Sequence, residues 1–178
     1  MTNKIYLTGF MGSGKSTIGP ILANTLGWDF YDLDVVIEKK EGKKISKIFE
    51  DSGEVYFRDL EKQMLKDFAG RANIIIALGG GTITNQDNID LLKKTGKIIY
   101  LKMSAEAAYK RLRFKRDRPI LTRDGTVNLS KSEFTARIAQ LLEERSGYYE
   151  QADIIINTDN LQLGFIVDEI AKILKAGK

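Results

Sequence analysis

Short apolar runs alternate with longer segments of helical periodicity along the whole chain. Several of these runs are continuous branched-aliphatic stretches, which are typical of strands covered on both faces. The predicted strands are residues 5–8, 30–31, 74–78, 98–101 and 154–156. Strands that alternate with helices predict a three-layer α/β/α protein, in which helices cover both faces of a five-stranded, mostly parallel sheet.

Apolar residues recur at helical spacing between the predicted strands. The predicted helices are residues 15–26, 34–41, 45–51, 53–69, 86–94, 105–113, 131–149 and 163–175. Residues 114–130 fit neither pattern, and a polar loop of this length in a compact protein is often a lid over a binding site. Because the sequence shows no repeat or low-complexity linker, we expect a single domain over residues 1–178.

The composition limits the types of catalytic residue and metal site that the protein can have. Cysteine and histidine are both absent from the chain, which excludes thiol nucleophiles, zinc sites of the Cys/His type and a histidine base. A bound metal must therefore be a hard, oxygen-liganded ion such as Mg²⁺. The sequence shows neither a signal peptide nor an apolar run of membrane-span length, so we expect a cytoplasmic protein without a membrane partner.

The net charge of +4 indicates an anionic ligand only weakly, because lysine and arginine mostly alternate with aspartate and glutamate. The densest basic cluster is residues 110–118, KRLRFKRDR. Such a cluster can bind nucleic acid, but binding of another anion or a place on the solvated surface is the favoured interpretation.

The glycine-rich stretch after the first strand has the pattern of a phosphate-binding loop. Residues 9–16, GFMGSGKS, fit G-x-x-x-x-G-K-[ST], with a predicted strand before them and a predicted helix after them. In such a loop, backbone amides and the helix N-terminus point at phosphate oxygens. Lys15 would reach the β- and γ-phosphates, and the Ser16 hydroxyl would join the shell of a Mg²⁺ ion. A simple glycine-rich turn is the alternative.

Two further segments follow predicted strands at the edge where α/β proteins bind ligands. Asp32 and Asp34 follow the second strand, and the alternative role for either is to cap the next helix. Gly79–Gly81 follow the third strand and would let a ligand lie against backbone amides. Since no acidic residue ends that third strand, the metal-binding role falls to Asp32.

Arg118 lies in the long loop, within the sequence RPIL. Phosphoryl transfer is promoted mainly by positioning and by positive charge on the transferred group. An arginine on a closing loop would supply that charge and exclude water. Beside a phosphate loop, this arrangement predicts a kinase.

These motifs together resemble those of the shikimate kinase family, and the resemblance covers nearly the whole chain. It rests on GFMGSGKSTIG, DLD, GEVYFR, GGG, RPIL and ERSGYYEQAD, in this order. It implies a P-loop kinase fold with a lid at about residues 114–130 and a substrate-binding helical region at about 34–70. The implied reaction transfers the γ-phosphate of ATP to the 3-hydroxyl of shikimate.

The resemblance also implies roles for individual residues. The ATP-binding set would be Gly12, Ser13, Gly14, Lys15, Ser16, Thr17, Arg111 and Arg118. The shikimate-binding set would be Asp34, Arg58, Gly80 and Arg145, with the two arginines on the substrate carboxylate, and Ser16 and Asp32 would hold Mg²⁺. The implied catalytic residues are Lys15, Asp34 and Arg118.

The same resemblance leaves several details open. Residues 157–159 would close the adenine site opposite Arg111, and Phe49 and Phe57 would either wall the substrate ring or pack in the core. Where the family motif usually has a proline after the substrate arginine, this chain has Ser146-Gly147-Tyr148, so Arg137 is the alternative to Arg145. A guanidinium matches a carboxylate through two parallel hydrogen bonds, which supports the paired arginines.

Two other functions are compatible with the phosphate loop. One is a related kinase for another small molecule, such as gluconate or a nucleoside monophosphate, because arginines bind phosphate as well as carboxylate. The other is an NTPase stimulated by nucleic acid through residues 110–118. We expect a monomer that binds ATP and shikimate and does not bind nucleic acid.

Overall fold

A computed structural model describes residues 3–113, 130–159 and 162–176 of the chain. In these ranges, five strands form one sheet in the order β2-β3-β1-β4-β5, and each pair of neighbours is parallel. The strands are β1 Lys4–Thr8, β2 Asp29–Asp32, β3 Ile74–Ala77, β4 Lys97–Lys102 and β5 Ile154–Asn157. The predicted fold class is confirmed, and each predicted strand overlaps an observed one.

Seven α-helices and one 3₁₀ turn lie in the described ranges. The helices are α1 Lys15–Leu26, α2 Leu33–Glu41, α3 Ile45–Ala69, α4 Gln86–Thr95, α5 Ala105–Leu112, α6 Lys131–Tyr149 and α7 Leu163–Ala176, and the 3₁₀ turn is Thr82–Thr84. Where two helices were predicted, the structure has one, α3, which is kinked at Gly53 with φ 78° and ψ 177°. None of the helices in the described ranges is both long enough and apolar enough to cross a membrane.

The sheet separates two layers of core. Adjacent side chains of a strand point to opposite faces, so Ile5 and Leu7 pack with α1 and α7 while Tyr6 packs with α3 and α4. A third buried cluster joins α5 and α6 to the loop after β1 through Phe10 and Met103. This arrangement is the three-layer architecture that the sequence pattern predicts.

The strand order determines where the candidate site forms. Because β3 lies between β1 and β2, the segments after these three strands leave the sheet side by side at its carboxyl edge. These segments are the glycine-rich loop, the pair Asp32 and Asp34, and Gly79–Gly81. Parallel sheets of this kind bind ligands at that edge.

Candidate active site

The glycine-rich loop leaves β1 in a conformation that is reserved largely for glycine. Gly9, Gly12 and Gly14 have φ values of 146°, 80° and 101°, in the region that L side chains rarely adopt. A Cβ at Gly9 would also lie 2.7 Å from the Leu101 carbonyl oxygen. The Lys15 ammonium donates to the carbonyls of Gly9, at 2.8 Å, and Phe10, at 3.3 Å, so it folds back over the loop.

Ser16 and Asp32 meet across the start of α1 and the end of β2. The Ser16 hydroxyl donates to Asp32 Oδ2 at 2.8 Å, while Asp32 Oδ1 accepts from the Asp34 amide at 3.2 Å and caps α2. Capping and metal binding are therefore compatible, because capping uses Oδ1 of Asp32 and would leave Oδ2, beside the Ser16 hydroxyl, for a metal. Two oxygen donors beside a phosphate loop fit Mg²⁺, which keeps several waters and needs few protein ligands.

Asp34 occupies the first turn of α2 and faces the same cavity as the phosphate loop. Burial raises the pKa of Asp34 to about 6, the negative charges of Asp32 and Glu61 add to the rise, and Lys15 opposes it. A carboxylate with this pKa can accept a proton near neutral pH. Gly79 packs directly against it, since a Cβ at that residue would lie 2.7 Å from Asp34 Oδ1.

Arg58 extends from α3 between two carboxylates. Its Nη1 donates to Glu61 Oε2 at 2.5 Å, and its Nη2 donates to Glu54 Oε1 at 3.0 Å. The Glu54 side chain is 63% exposed, whereas that of Glu61 is fully buried. The buried Glu61 thus holds the Arg58 guanidinium on one side, and the side that faces Glu54 is accessible.

Glu61 is a site residue that the sequence reasoning missed. Besides Arg58, it accepts a hydrogen bond from the Thr82 hydroxyl of the 3₁₀ turn. The signal that could have indicated it is the spacing, because a glutamate three residues after an arginine lies beside it on a helix. Its burial depends on the packing of α3 against the turn after β3.

Arg145 reaches the cavity from α6, and its Nη1 donates to the Gly80 carbonyl at 3.0 Å. The alternative residue, Arg137, donates to Gln140 on the same helix and does not line the cavity. A Cβ at Gly81 would lie 2.7 Å from Arg58 Cζ, so the glycine run leaves space for that guanidinium. The structure therefore brings both predicted substrate arginines to Gly79–Gly81.

One cavity of about 350 Å³ joins these groups. Its walls are Met11, Gly12, Gly14, Lys15, Ser16, Thr17, Asp32, Asp34, Ile45, Phe49, Phe57, Arg58, Glu61, Leu78, Gly79, Gly80, Gly81 and Arg145. The rings of Phe49 and Phe57 lie 4.8 Å apart and form the apolar side. Phe57 is also almost fully buried, so it both packs in the core and forms part of the cavity wall.

A second cavity of about 310 Å³ lies on the other side of the phosphate loop. Arg111 borders it and donates to the carbonyls of Thr158, at 2.5 Å, and Gly12, at 3.2 Å. Ser13 and Thr17 also line this second cavity. The predicted adenine-side residues Arg111 and 157–159 are therefore in contact through Thr158.

Arg118 lies outside the described residues, as do residues 114–129 of the predicted lid. Its predicted part in catalysis stays a prediction.

A phosphate loop that shares one cavity with carboxylates and arginines defines a P-loop kinase for a small acceptor. The shikimate kinase family profile matches residues 11–175. The chain belongs to the shikimate kinase family, as its motifs predicted.

Curated relatives and solved structures agree with this assignment. The chain is 44% identical to the shikimate kinase of Chlorobium limicola over 168 residues, which cover 94% of this chain and 84% of that protein. The crystal structure of shikimate kinase from Bacteroides thetaiotaomicron matches with a TM-score of 0.87 and 36% identity, over 97% of this chain and 98% of that one. Shikimate kinase from Acinetobacter baumannii, solved in complex with shikimate, matches with a TM-score of 0.88 and 33% identity, over 100% of this chain and 96% of that one.

Proposed function

We propose that the protein transfers the γ-phosphoryl group of ATP to the 3-hydroxyl of shikimate, giving shikimate 3-phosphate and ADP. The observation that carries this proposal is the cavity of about 350 Å³, in which the phosphate loop faces Asp34, Arg58 and Arg145. A small hydroxy acid fits such a cavity because its carboxylate needs cationic partners and its hydroxyl must approach the γ-phosphate of ATP.

On the nucleotide side, the loop residues Gly12, Ser13, Gly14, Lys15, Ser16 and Thr17 bind the phosphates. Arg111 lies along the adenine, and its bond to the Thr158 carbonyl keeps the guanidinium plane in place. Ser16 and Asp32 would hold Mg²⁺, which supplies positive charge to the phosphate oxygens. Arg118 stabilises the transferred group from the loop, a role that rests on the family resemblance.

On the acceptor side, Arg58 and Arg145 bind the carboxylate of shikimate, and the Gly80 amide adds a hydrogen bond. Since Glu54 is largely exposed and Glu61 is buried, the incoming carboxylate replaces Glu54 on Arg58 and leaves the bond to Glu61 intact. The carboxylate thereby fixes the ring, so that one hydroxyl points at Asp34 and the phosphate loop.

Asp34 accepts a hydrogen bond from the 3-hydroxyl and takes its proton as the new oxygen–phosphorus bond forms. Lys15 stabilises the charge that collects on the bridging and terminal phosphate oxygens while the bond to ADP breaks. We expect the protein to be a single domain over residues 1–178 and to act as a monomer. We expect this activity in the cytoplasm, where ATP is available.

The experiment measures ADP release from MgATP with shikimate, gluconate, AMP, CMP or single-stranded RNA as the added compound. Shikimate alone is expected to stimulate release. A response to AMP or CMP instead would assign a nucleotide acceptor, and a salt-sensitive response to RNA would assign a nucleic acid-stimulated NTPase.

The variant Arg58→Ala tests how the acceptor is held. Loss of one charge-assisted contact is expected to raise the KM for shikimate by about 10- to 100-fold, with little change in the KM for ATP. Arg71→Ala is the matched control, because Arg71 contacts Tyr31 and Phe68 away from the cavity. Equal effects of Arg58→Ala on both substrates would contradict the assigned contact.

A further inference from the structure

Tyr149 lies one helical turn after Arg145 on α6. Residues four apart lie on the same face of a helix, and long side chains lean toward the N-terminal turn. The Tyr149 side chain is therefore directed toward the turn that carries Arg145. Gly147 lies between the two residues, and a Cβ at that position would meet nothing within 4 Å.

The ring of Tyr149 is fixed in position. It is completely buried and stacks on the ring of Tyr100 from β4, with 4.7 Å between the ring centroids and 7° between the planes. Both rings belong to the core cluster on the α3 and α4 side of the sheet. A side chain held in this way keeps its hydroxyl at one place in the molecule.

That hydroxyl has no hydrogen bond of good geometry within the part of the chain that the structure describes, although the Arg145 side chain lies beside it. Most buried hydroxyls have a well-formed hydrogen bond, so one without such a bond needs a reason to be retained. Burial raises the pKa of Tyr149, and the positive charge of Arg145 together with its hydrogen-bonding contact to the hydroxyl opposes part of that rise. The phenol is consequently neutral near pH 7, with an oxygen that can accept a hydrogen bond close to a guanidinium.

Arg145 has further N–H donors that can bind the Tyr149 hydroxyl oxygen. A guanidinium carries five N–H donors in a rigid plane, and Arg145 Nη1 binds the Gly80 carbonyl. We propose that Tyr149 is a positioning residue for Arg145, whose guanidinium donates to the buried hydroxyl when it turns toward the carboxylate of the acceptor. This inference rests on the proposed function, because it assigns that carboxylate to Arg145.

The variant Tyr149→Phe tests the inference, since it removes one oxygen and keeps the stacked ring. The expected result is a KM for shikimate raised about five- to tenfold, with kcat and the KM for ATP within about twofold of wild type. The melting temperature is expected to stay the same or to rise, because the hydroxyl has no well-formed hydrogen bond in the free protein. Tyr100→Phe, which changes the other ring of the stack, is the control and is expected to keep the wild-type KM.

A double-mutant cycle with Arg145→Lys identifies the residue through which Tyr149 acts. In the Arg145→Lys background, Tyr149→Phe is expected to change the KM for shikimate by less than about twofold, because a lysine cannot occupy the same planar arrangement. An unchanged KM in the single variant, an equal rise for ATP, a lower melting temperature, or full additivity in the cycle would each overturn the inference. Wild-type protein that fails to phosphorylate shikimate would instead refute the proposed function itself.

Discussion

At the scale of single residues, the surroundings of Asp34 change the pKa of its side chain. Its pKa of about 6 results from burial and from the neighbouring charges of Asp32 and Glu61, with Lys15 acting in the opposite direction. In the proposed reaction, only the ionised carboxylate of Asp34 could accept the proton of the acceptor hydroxyl. As the pH falls through the raised pKa, the protonated form, which we expect to be inactive, accumulates.

We therefore predict that kcat/KM for shikimate, measured at saturating MgATP, falls about tenfold per pH unit below about pH 6. Glu61→Gln is expected to move this decline to lower pH, because it removes a negative charge that raises the pKa of Asp34. Asp67→Asn, at an exposed position on the same helix, is the control and is expected to leave the profile unchanged. A profile that Glu61→Gln does not shift would contradict the assignment of Asp34 as the titrating group.

The individual site residues differ in how far the sequence predicts them. Lys15, Ser16 and Asp32 follow from local motifs, and the structure brings Ser16 and Asp32 into contact as expected. Glu61 lies beside Arg58 on α3, but it has no motif of its own, and its second partner, Thr82, belongs to the 3₁₀ turn, which meets α3 only in the fold. A charge on a predicted helix is usually solvated, so nothing in the pattern indicates that this one is buried.

At the scale of elements, the shape of α3 depends both on its local sequence and on tertiary packing. A break near residue 52 was predicted, and the structure has a kink at Gly53, whose φ of 78° and ψ of 177° are not helical. The helical segments before and after the kink both line the cavity, through Phe49 on one side and Arg58 on the other. The glycine thus sets the angle between two parts of the cavity wall.

Gly53→Ala is predicted to destabilise the protein by about 1–3 kcal/mol, because only glycine adopts this backbone region without strain. Urea unfolding followed by circular dichroism measures the change. Gly70→Ala is the matched control at the end of the same helix, with ordinary φ and ψ of −80° and −6° and open space for a Cβ. It is expected to be neutral or to stabilise by up to about 1 kcal/mol, and equal effects of the two variants would contradict the role of the kink.

At the scale of the whole molecule, the sheet brings distant parts of the sequence to one edge. The loop after β1, the acidic pair after β2 and the glycines after β3 meet because β3 pairs with both of the other strands. Ligand binding at this edge therefore contacts several elements at once. A ligand that binds only the folded protein raises its stability in proportion to the logarithm of its concentration.

We predict that ADP at about a hundred times its Kd stabilises the protein by about 2.7 kcal/mol, or about 5–10 °C in melting temperature. Lys15→Met is expected to lose most of this shift, because the lysine supplies the cation at the phosphates. It is expected to keep any shift that shikimate causes in the wild-type protein. Lys172→Met, at an exposed position on α7, is the control. Undiminished stabilisation of Lys15→Met by ADP would place the nucleotide elsewhere.

The sequence by itself determined the type and approximate bounds of the strands and helices, and the phosphate loop, because these depend on the periodicity and chemistry of adjacent residues. Only the tertiary structure decided the strand order, the burial of Glu61 beside Arg58, and the position of the Tyr149 ring on Tyr100. The physical reason is that local pattern specifies which face of an element is apolar but not which element covers it. Contacts between residues far apart in the chain depend on packing that no single segment encodes.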